Sequence, residues 1–346
     1  MTQGIRAGQE RMFRWIDDLP HQLQAARGYD GLAAVRPLAT APRQILVCGM
    51  GGSAMPGSLL ADGWPGLTIP LLVHREPGLP AWVGPETMVL ACSYSGVTAE
   101  TMDAVRTARQ RGCPVAAVTS GGFLLELAGE GVPVVQLPAG QPPRTALGAS
   151  LGAQLHLLAG LGLLADPTRD IDLACEQAAS GRLVCLDGAP EAVGTAEAAE
   201  LARALLHRFT VIHTAGGEAH GPGRRLLAQL NENAKAPGHV AVFPELCHNE
   251  IVGWDLTPDQ ADRFVLLTLQ GTDAAPSVAA GVDVSVDLLN SQFGASHLIS
   301  ARGPVRLARI LGLILFGDLL STHLAVLRGV DPVPIKRIDT LKSRLG

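Results

Sequence analysis

Two short stretches of this chain place glycines and hydroxyls where an anion could be held. Ile45-Leu46-Val47-Cys48 runs into Gly49-Met50-Gly51-Gly52-Ser53-Ala54, and Met88-Val89-Leu90-Ala91-Cys92 runs into Ser93-Tyr94-Ser95-Gly96-Val97-Thr98. Each is a buried-strand run ending in a turn that opens a helix. Glycine lets backbone approach a ligand closely, and the free N–H groups of a helix N-terminus attract anions. Gly52, Ser53, Ser93, Ser95 and Thr98 therefore make a candidate phosphate cradle. A dinucleotide site requires G-x-G-x-x-G with an acidic residue after the next strand, and a triphosphate loop requires Gly-Lys-Ser/Thr. Neither pattern is here, and hydroxyls without a lysine suit a monophosphate. One such loop alone reads as a tight turn; two, one with three hydroxyls, favour the cradle.

Four further residues could do chemistry. Arg144 follows Pro142 and Pro143 after an apolar run, Val132 to Pro138, whose internal Pro133 confines it to a sheet edge. It reads as a solvated surface arginine or as a guanidinium aimed into a cleft by stiff backbone. Glu232, in Asn231-Glu232-Asn233-Ala234-Lys235, reads as half of an i,i+3 pair with Lys235 on a solvated face. Alternatively, Leu226, Leu227, Leu230 and Ala234 put it at the margin of a buried stripe, where a carboxylate can serve as a proton-abstracting base. His248, one of ten histidines, lies in the loop Pro244-Glu245-Leu246-Cys247-His248-Asn249-Glu250, and Lys342 lies on a terminal helix. No His/Cys/Asp/Glu set has metal-ligand spacing, so neither metal nor cofactor is expected.

The elements that position these residues alternate along the chain. A length of 346 residues exceeds the usual single domain, and strand, Gly-rich turn and helix recur in each half. The expected class is α/β, with two domains that are each a parallel sheet flanked by helices. The first covers residues 1–150 with a leading helix around 12–26, and the second covers 151–346 with a long apolar helix and a tail. Strands are expected over 67–73, 209–213, 240–243 and 264–269, and at 282–286, where valines alternate; a helix is expected over 223–236. A net charge of −5 without a Lys/Arg block argues against nucleic acid as a partner. Six cysteines without a C-x-x-C pair read as reduced thiols of a cytoplasmic protein. The first six residues lack the apolar core of a secretion signal. Leu307 to Leu320 carries Arg309 and Asp318 and is too short to span a bilayer, so it reads as a buried helix with no membrane role.

Gly-Met-Gly-Gly-Ser-Ala at 49–54 and Ser-Tyr-Ser-Gly-x-Thr-x-Glu-Thr at 93–101 resemble the signature loops of sugar isomerase (SIS) domains, in particular those of the bifunctional phosphoglucose/phosphomannose isomerases. The likeness continues through Pro-x-Arg at Arg144, Asn-Glu-x-x-Lys at 231–235, Pro-Glu-x-x-His-Asn-Glu at 244–250 and the closing Leu341-Lys342. It implies two SIS domains and an aldose–ketose isomerase acting on sugar 6-phosphates through an enediol, without metal or nucleotide. On that resemblance Glu232 is the base, His248 assists ring opening, Arg144 steadies the enediolate and Lys342 reaches the ring oxygen, with Lys336 the alternative in a shifted register. A homodimer is also implied, with His248 presented to the partner's site. Val97 stands where these enzymes commonly have asparagine, and Val333 where many have threonine. Both departures touch recognition, so mannose 6-phosphate is expected to be the poorer substrate. The rival expectation is a non-catalytic sugar-phosphate-binding SIS regulator; retention of Glu232, His248 and Lys342 together favours the enzyme.

Overall fold

The computed structural model describes residues 3–62, 64, 66, 67 and 69–345. The chain forms two compact units: one is Asp18–Cys175, and the other joins the residues up to Asp17 with those from Glu176 onward. The elements begin with α1 (Gln3–Asp17), α2 (Leu19–Ala25), β1 (Gln44–Gly49), α3 (Gly51–Ala61), β2 (Leu71–His74), β3 (Thr87–Cys92), α4 (Ala99–Gln110), β4 (Val115–Thr119), α5 (Gly122–Glu126), β5 (Val134–Gln136), α6 (Leu147–Gly160) and α7 (Thr168–Ala179). There follow β6 (Val184–Leu186), β7 (Ala192–Val193), α8 (Thr195–Leu205), β8 (Phe209–Ala215), α9 (Gly217–Gln229), β9 (Gly238–Val242), α10 (Pro258–Ala261), β10 (Phe264–Gln270), α11 (Pro276–Leu289), β11 (Ala295–Ala301), α12 (Arg306–Leu327) and α13 (Lys336–Leu345).

In the Asp18–Cys175 unit five parallel strands lie in the order β2-β1-β3-β4-β5. β3 is buried along its whole length and β1 along all but its first residue, as expected of strands covered on both faces. In such a sheet the ligand crevice lies beyond the strand C-termini where the winding reverses, here between β1 and β3. The two hydroxyl-bearing loops follow those two strands. Their approach requires glycine, because a Cβ at Gly49 would stand 2.5 Å from the Cys92 carbonyl oxygen. β5 is an edge strand, as Pro133 requires. The boundary expected at residue 150 falls inside α6, which packs on α2; a Cβ at Gly148 would lie 2.2 Å from the Leu19 carbonyl oxygen.

The other unit has the order β7-β6-β11-β10-β8-β9, with β9, β8, β10 and β11 parallel and β6 and β7 added antiparallel at one edge. The leading helix α1 belongs here. Gly8 leaves room for the Asp331 carboxylate, Gln9 Nε2 donates to the Val330 carbonyl at 3.1 Å, and Phe13 packs against His323 with ring centroids 4.9 Å apart and the planes tilted by 54°. α12 has 22 residues, long enough by length and composition to cross a bilayer, and so longer than its apolar core suggests. It is instead the unit's central helix, with 83% of its most apolar window buried in protein.

Three expectations need correcting. The alternating valines at 282–286 are helical: Pro276 opens α11, and Val278, Val282 and Val286 recur at intervals of four, with Val282 buried. The strand is β11 instead, which a half-polar sequence conceals. The helix expected from Gly223 begins at Gly217 and carries Pro222 within it. The expected strand 67–73 is observed from Leu71 to His74, and Thr68 lies outside the described residues.

Candidate functional site

In the Asp18–Cys175 unit the cradle loops are bonded to each other. The Tyr94 backbone N–H donates to Ser53 Oγ at 3.0 Å. Ser93 is buried; its hydroxyl lies 2.8 Å from Thr98 Oγ1 and accepts the Gly96 N–H at 3.1 Å. Ser93 is thus a strut that shapes the loop, while Ser95 is exposed and Thr98 half-buried at the start of α4. Arg144 is buried in a tight turn, Pro143–Thr145, pressed against the first loop. A Cβ at Gly52 would stand 3.0 Å from the Arg144 backbone nitrogen. Gly52, Ser53, Ser93, Tyr94, Pro143 and Ser150 line one small recess. The structure therefore brings Gly52, Ser53 and Ser93 together beside the turn that carries Arg144, while Ser95 and Thr98 lie outside this recess. Replacing Ser95 and Thr98 together by alanine is expected to weaken sugar-phosphate binding, each lost bond to the charged group costing roughly 1.5–3 kcal/mol. Calorimetric titration checks this, and an unchanged dissociation constant would move the phosphate elsewhere.

In the other unit Glu232 sits on a π-helical turn, Leu230–Ala234, that ends α9. Such turns widen the helix by one residue and recur at functional sites. Lys235 closes the turn in the left-handed region at φ 56°, unusual for a non-glycine residue. Its ammonium donates to the Pro334 carbonyl at 2.9 Å and also to the Glu232 carbonyl, so it fastens the turn to the segment before α13. Behind the turn, Asn233 Nδ2 donates to Ser321 Oγ at 3.1 Å, and Gln229 Nε2 to Asp318 Oδ1 at 3.1 Å. Arg225 grips Asp318 with Nε at 3.0 Å and Nη2 at 2.6 Å. Arg225, Gln229 and Asn233 thus form one polar seam against α12. Glu232, half-buried, lines an open cleft of about 1060 Å³ with Lys235, Asp331, Pro334, Lys336 and Arg337. Of the two lysines considered, Lys336 lines this cleft; Lys342 is exposed further along α13. Val333 is half-buried, its N–H donating to Asp331 Oδ1 at 2.9 Å, and Val97 is 55% exposed.

His248 ends a 3-10 turn, Glu245–His248, and is exposed. Its loop is clamped by Glu250, whose carboxylate accepts His213 Nε2 at 3.0 Å, His239 Nε2 at 2.9 Å and Trp254 Nε1 at 3.2 Å. A carboxylate can only accept, so each ring nitrogen carries the proton. Sequence reasoning missed this clamp: His213 and His239 lie on adjacent strands, and the register of β8 with β9, which pairs Val211 with His239 and His213 with Ala241, makes them diagonal neighbours. Burial pushes the Glu250 carboxyl up, but the two histidine hydrogen bonds outweigh it and hold the group at about 2, below its ordinary 4.5. A depressed carboxyl stabilises the fold above its unfolded value, and that contribution is lost as pH falls from about 4.5 towards about 2. Glu250→Gln is accordingly expected to be less stable than the parent at pH 7, the difference closing across that window. Thermal melts at a series of pH values check it, and a constant difference would contradict it. Among the described residues no His/Cys/Asp/Glu group is arranged to hold a metal ion.

Paired sheets of this winding, with hydroxyl-bearing loops at the reversal point of the first, define an SIS-domain protein of the sugar isomerase class. Residues 195–345 match the family model described as the bacterial phospho-glucose isomerase C-terminal SIS domain. The chain is 34% identical over 337 residues to the bifunctional phosphoglucose/phosphomannose isomerase of Caldicellulosiruptor bescii, covering 97% of this chain and 99% of that one. It is 32% identical to the Aquifex aeolicus protein of the same name over 305 residues, 87% of this chain and 90% of that one. Among solved structures, tagatose-6-phosphate ketose/aldose isomerase from Escherichia coli superposes with a TM-score of 0.65 at 14% identity, over 94% of this chain and 95% of that one, a likeness of fold. The chain belongs to the bifunctional phosphoglucose/phosphomannose isomerase family.

Proposed function

We propose that this protein is an aldose–ketose isomerase that interconverts glucose 6-phosphate, and less efficiently mannose 6-phosphate, with fructose 6-phosphate through an enediol. The observation that carries the reading is Glu232, held on a π turn in an open cleft by a seam of buried polar bonds. Isomerisation needs a phosphate anchor, help in opening the ring, a base that carries one proton between C2 and C1, and a cation near the enediolate oxygens. Ser95 and Thr98 supply the anchor, His248 the ring opening, Glu232 the base and Arg144 the cation. The terminal lysine is Lys342 by motif and Lys336 by its place in the cleft.

His248 serves a second copy of the chain in a homodimer. This is supported by its exposure and by exposed apolar residues around its loop: Val252 follows it, and Val284 and Leu288 lie on α11, to which Cys247 is joined through Ser285 at 3.8 Å. Six free thiols suit a cytoplasmic setting, and the net charge of −5 suits a small anionic substrate better than a nucleic acid. A coupled assay following glucose 6-phosphate formed from fructose 6-phosphate tests the reading, with mannose 6-phosphate run beside it. Valine at 333 and 97 offers a sugar hydroxyl no partner, so mannose 6-phosphate should show the lower kcat/KM. Binding without turnover would replace the enzyme by a sugar-phosphate sensor.

A further inference from the structure

The second unit repeats the first cradle with one decisive change. β1 and β8 hold the same place in their sheets, each between a short edge strand and the strand beyond the reversal point. The helices that follow them share a pattern. α3 opens with Gly51 and has Pro56-Gly57 as its sixth and seventh residues; α9 opens with Gly217 and has Pro222-Gly223 in the same positions. In this register the place of Gly52 is taken by Glu218.

Glu218 is wholly buried, and its carboxylate is surrounded by the donors that a phosphate would use. Oε2 accepts the backbone N–H of Thr272 at 2.9 Å and its hydroxyl at 3.0 Å. Thr272 lies in the turn after β10, the counterpart of the loop after β3 that carries Ser93 to Thr98. Oε1 takes Arg309 through Nε at 2.8 Å and Nη2 at 2.6 Å, and Arg306 lies 3.9 Å away. The Glu218 N–H donates to Asp273 Oδ1 at 3.2 Å, and the other oxygen of Asp273 is 2.6 Å from Arg306 Nη1. A backbone N–H, a hydroxyl and a guanidinium that reaches Oε1 through two nitrogens, all on one carboxylate, form a built anion site. The first unit keeps glycine at this position and so grows no side chain into its cradle. The second grows a carboxylate into it.

We propose that the second unit contains a phosphate cradle whose resident anion is the chain's own Glu218. The chain then takes one sugar phosphate, at the Ser93 to Thr98 loop, and none at the turn after β10. The single-site half of this statement rests on the function proposed above; the internal occupancy does not.

Glu218→Gly empties the cradle, and Glu218→Gln fills it with a neutral group of the same size. Each leaves Arg309 without its buried counter-charge, and the melting temperature should fall by roughly 6–20 °C. Inorganic phosphate should then raise the melting temperature of Glu218→Gly towards that of the parent, while Glu218→Gln responds no more than the parent does. Equilibrium dialysis with labelled phosphate should give one bound ion per parent chain and two per Glu218→Gly chain. Glu218→Ser serves the same test if the glycine variant does not fold. Two ions on the parent, or a soluble Glu218→Gly or Glu218→Ser that phosphate does not stabilise, would overturn the proposal. No ion on the parent, together with phosphate rescue of Glu218→Gly, would sink the sugar-phosphate reading and leave this one standing.

Discussion

Glu232→Gln is expected to lower turnover by about 10²–10⁴-fold while substrate binding survives, because the amide keeps the shape of the side chain and removes its ability to accept a proton. The location of the residue makes the effect specific. Its turn is fixed by bonds that the substitution does not touch: Asn233 to Ser321, Gln229 to Asp318, and Lys235 to the Pro334 carbonyl. A merely structural Glu232 would be expected to move the melting temperature and KM along with kcat. A base should move kcat and kcat/KM together and leave the melt in place. Steady-state kinetics with a parallel melt separate the two. Turnover at the parent rate would remove Glu232 from the mechanism.

Asp318→Asn is expected to cost roughly 3–5 kcal/mol of stability, the usual consequence of leaving a buried charge without its partner. Arg225 and Asp318 are both at least 97% buried, and their pairing is bidentate. Asp318 also accepts from Gln229 through its carboxylate, so the change reaches the residue that ends α9 just before the π turn. Turnover should therefore fall with stability. The double variant Arg225→Met/Asp318→Leu removes both charges and should recover most of the stability, since a well-packed apolar pair commonly matches a buried ion pair. Urea unfolding of the three proteins measures this, and a loss under about 1 kcal/mol for Asp318→Asn would show the pair to be idle.

What could be read in advance follows a physical division. The loops at 49–54 and 93–98 were legible because glycine and hydroxyl residues at strand ends carry a local meaning, and both cradle strands are continuous apolar runs. The strand expected at 282–286 failed because Val282 and Val286, with Val278, also recur at the helical spacing of four while Val284 faces outward, and only Pro276 marked the helix. Ala295–Ala301 went unseen because Ser296, His297 and Ser300 break its apolar run. The placement of α1 depends on Gly8 meeting Asp331 and so was invisible to any local pattern. Reading Pro222 as a helix boundary hid Glu218, which the structure puts at the second position of α9. The two charges that argued against a membrane role for α12 found their purpose in the fold: Arg309 holds Glu218, and Asp318 holds Arg225.

The central claim is that this chain moves a proton between C2 and C1 of a sugar 6-phosphate. Incubating glucose 6-phosphate with the protein in deuterium oxide, and following the sugar protons by NMR, tests it most directly. Fructose 6-phosphate should form with deuterium entering at C1, and label should return to C2 of the remaining glucose 6-phosphate, both at rates reduced in Glu232→Gln. A sugar that binds yet stays unconverted and unlabelled would contradict the account.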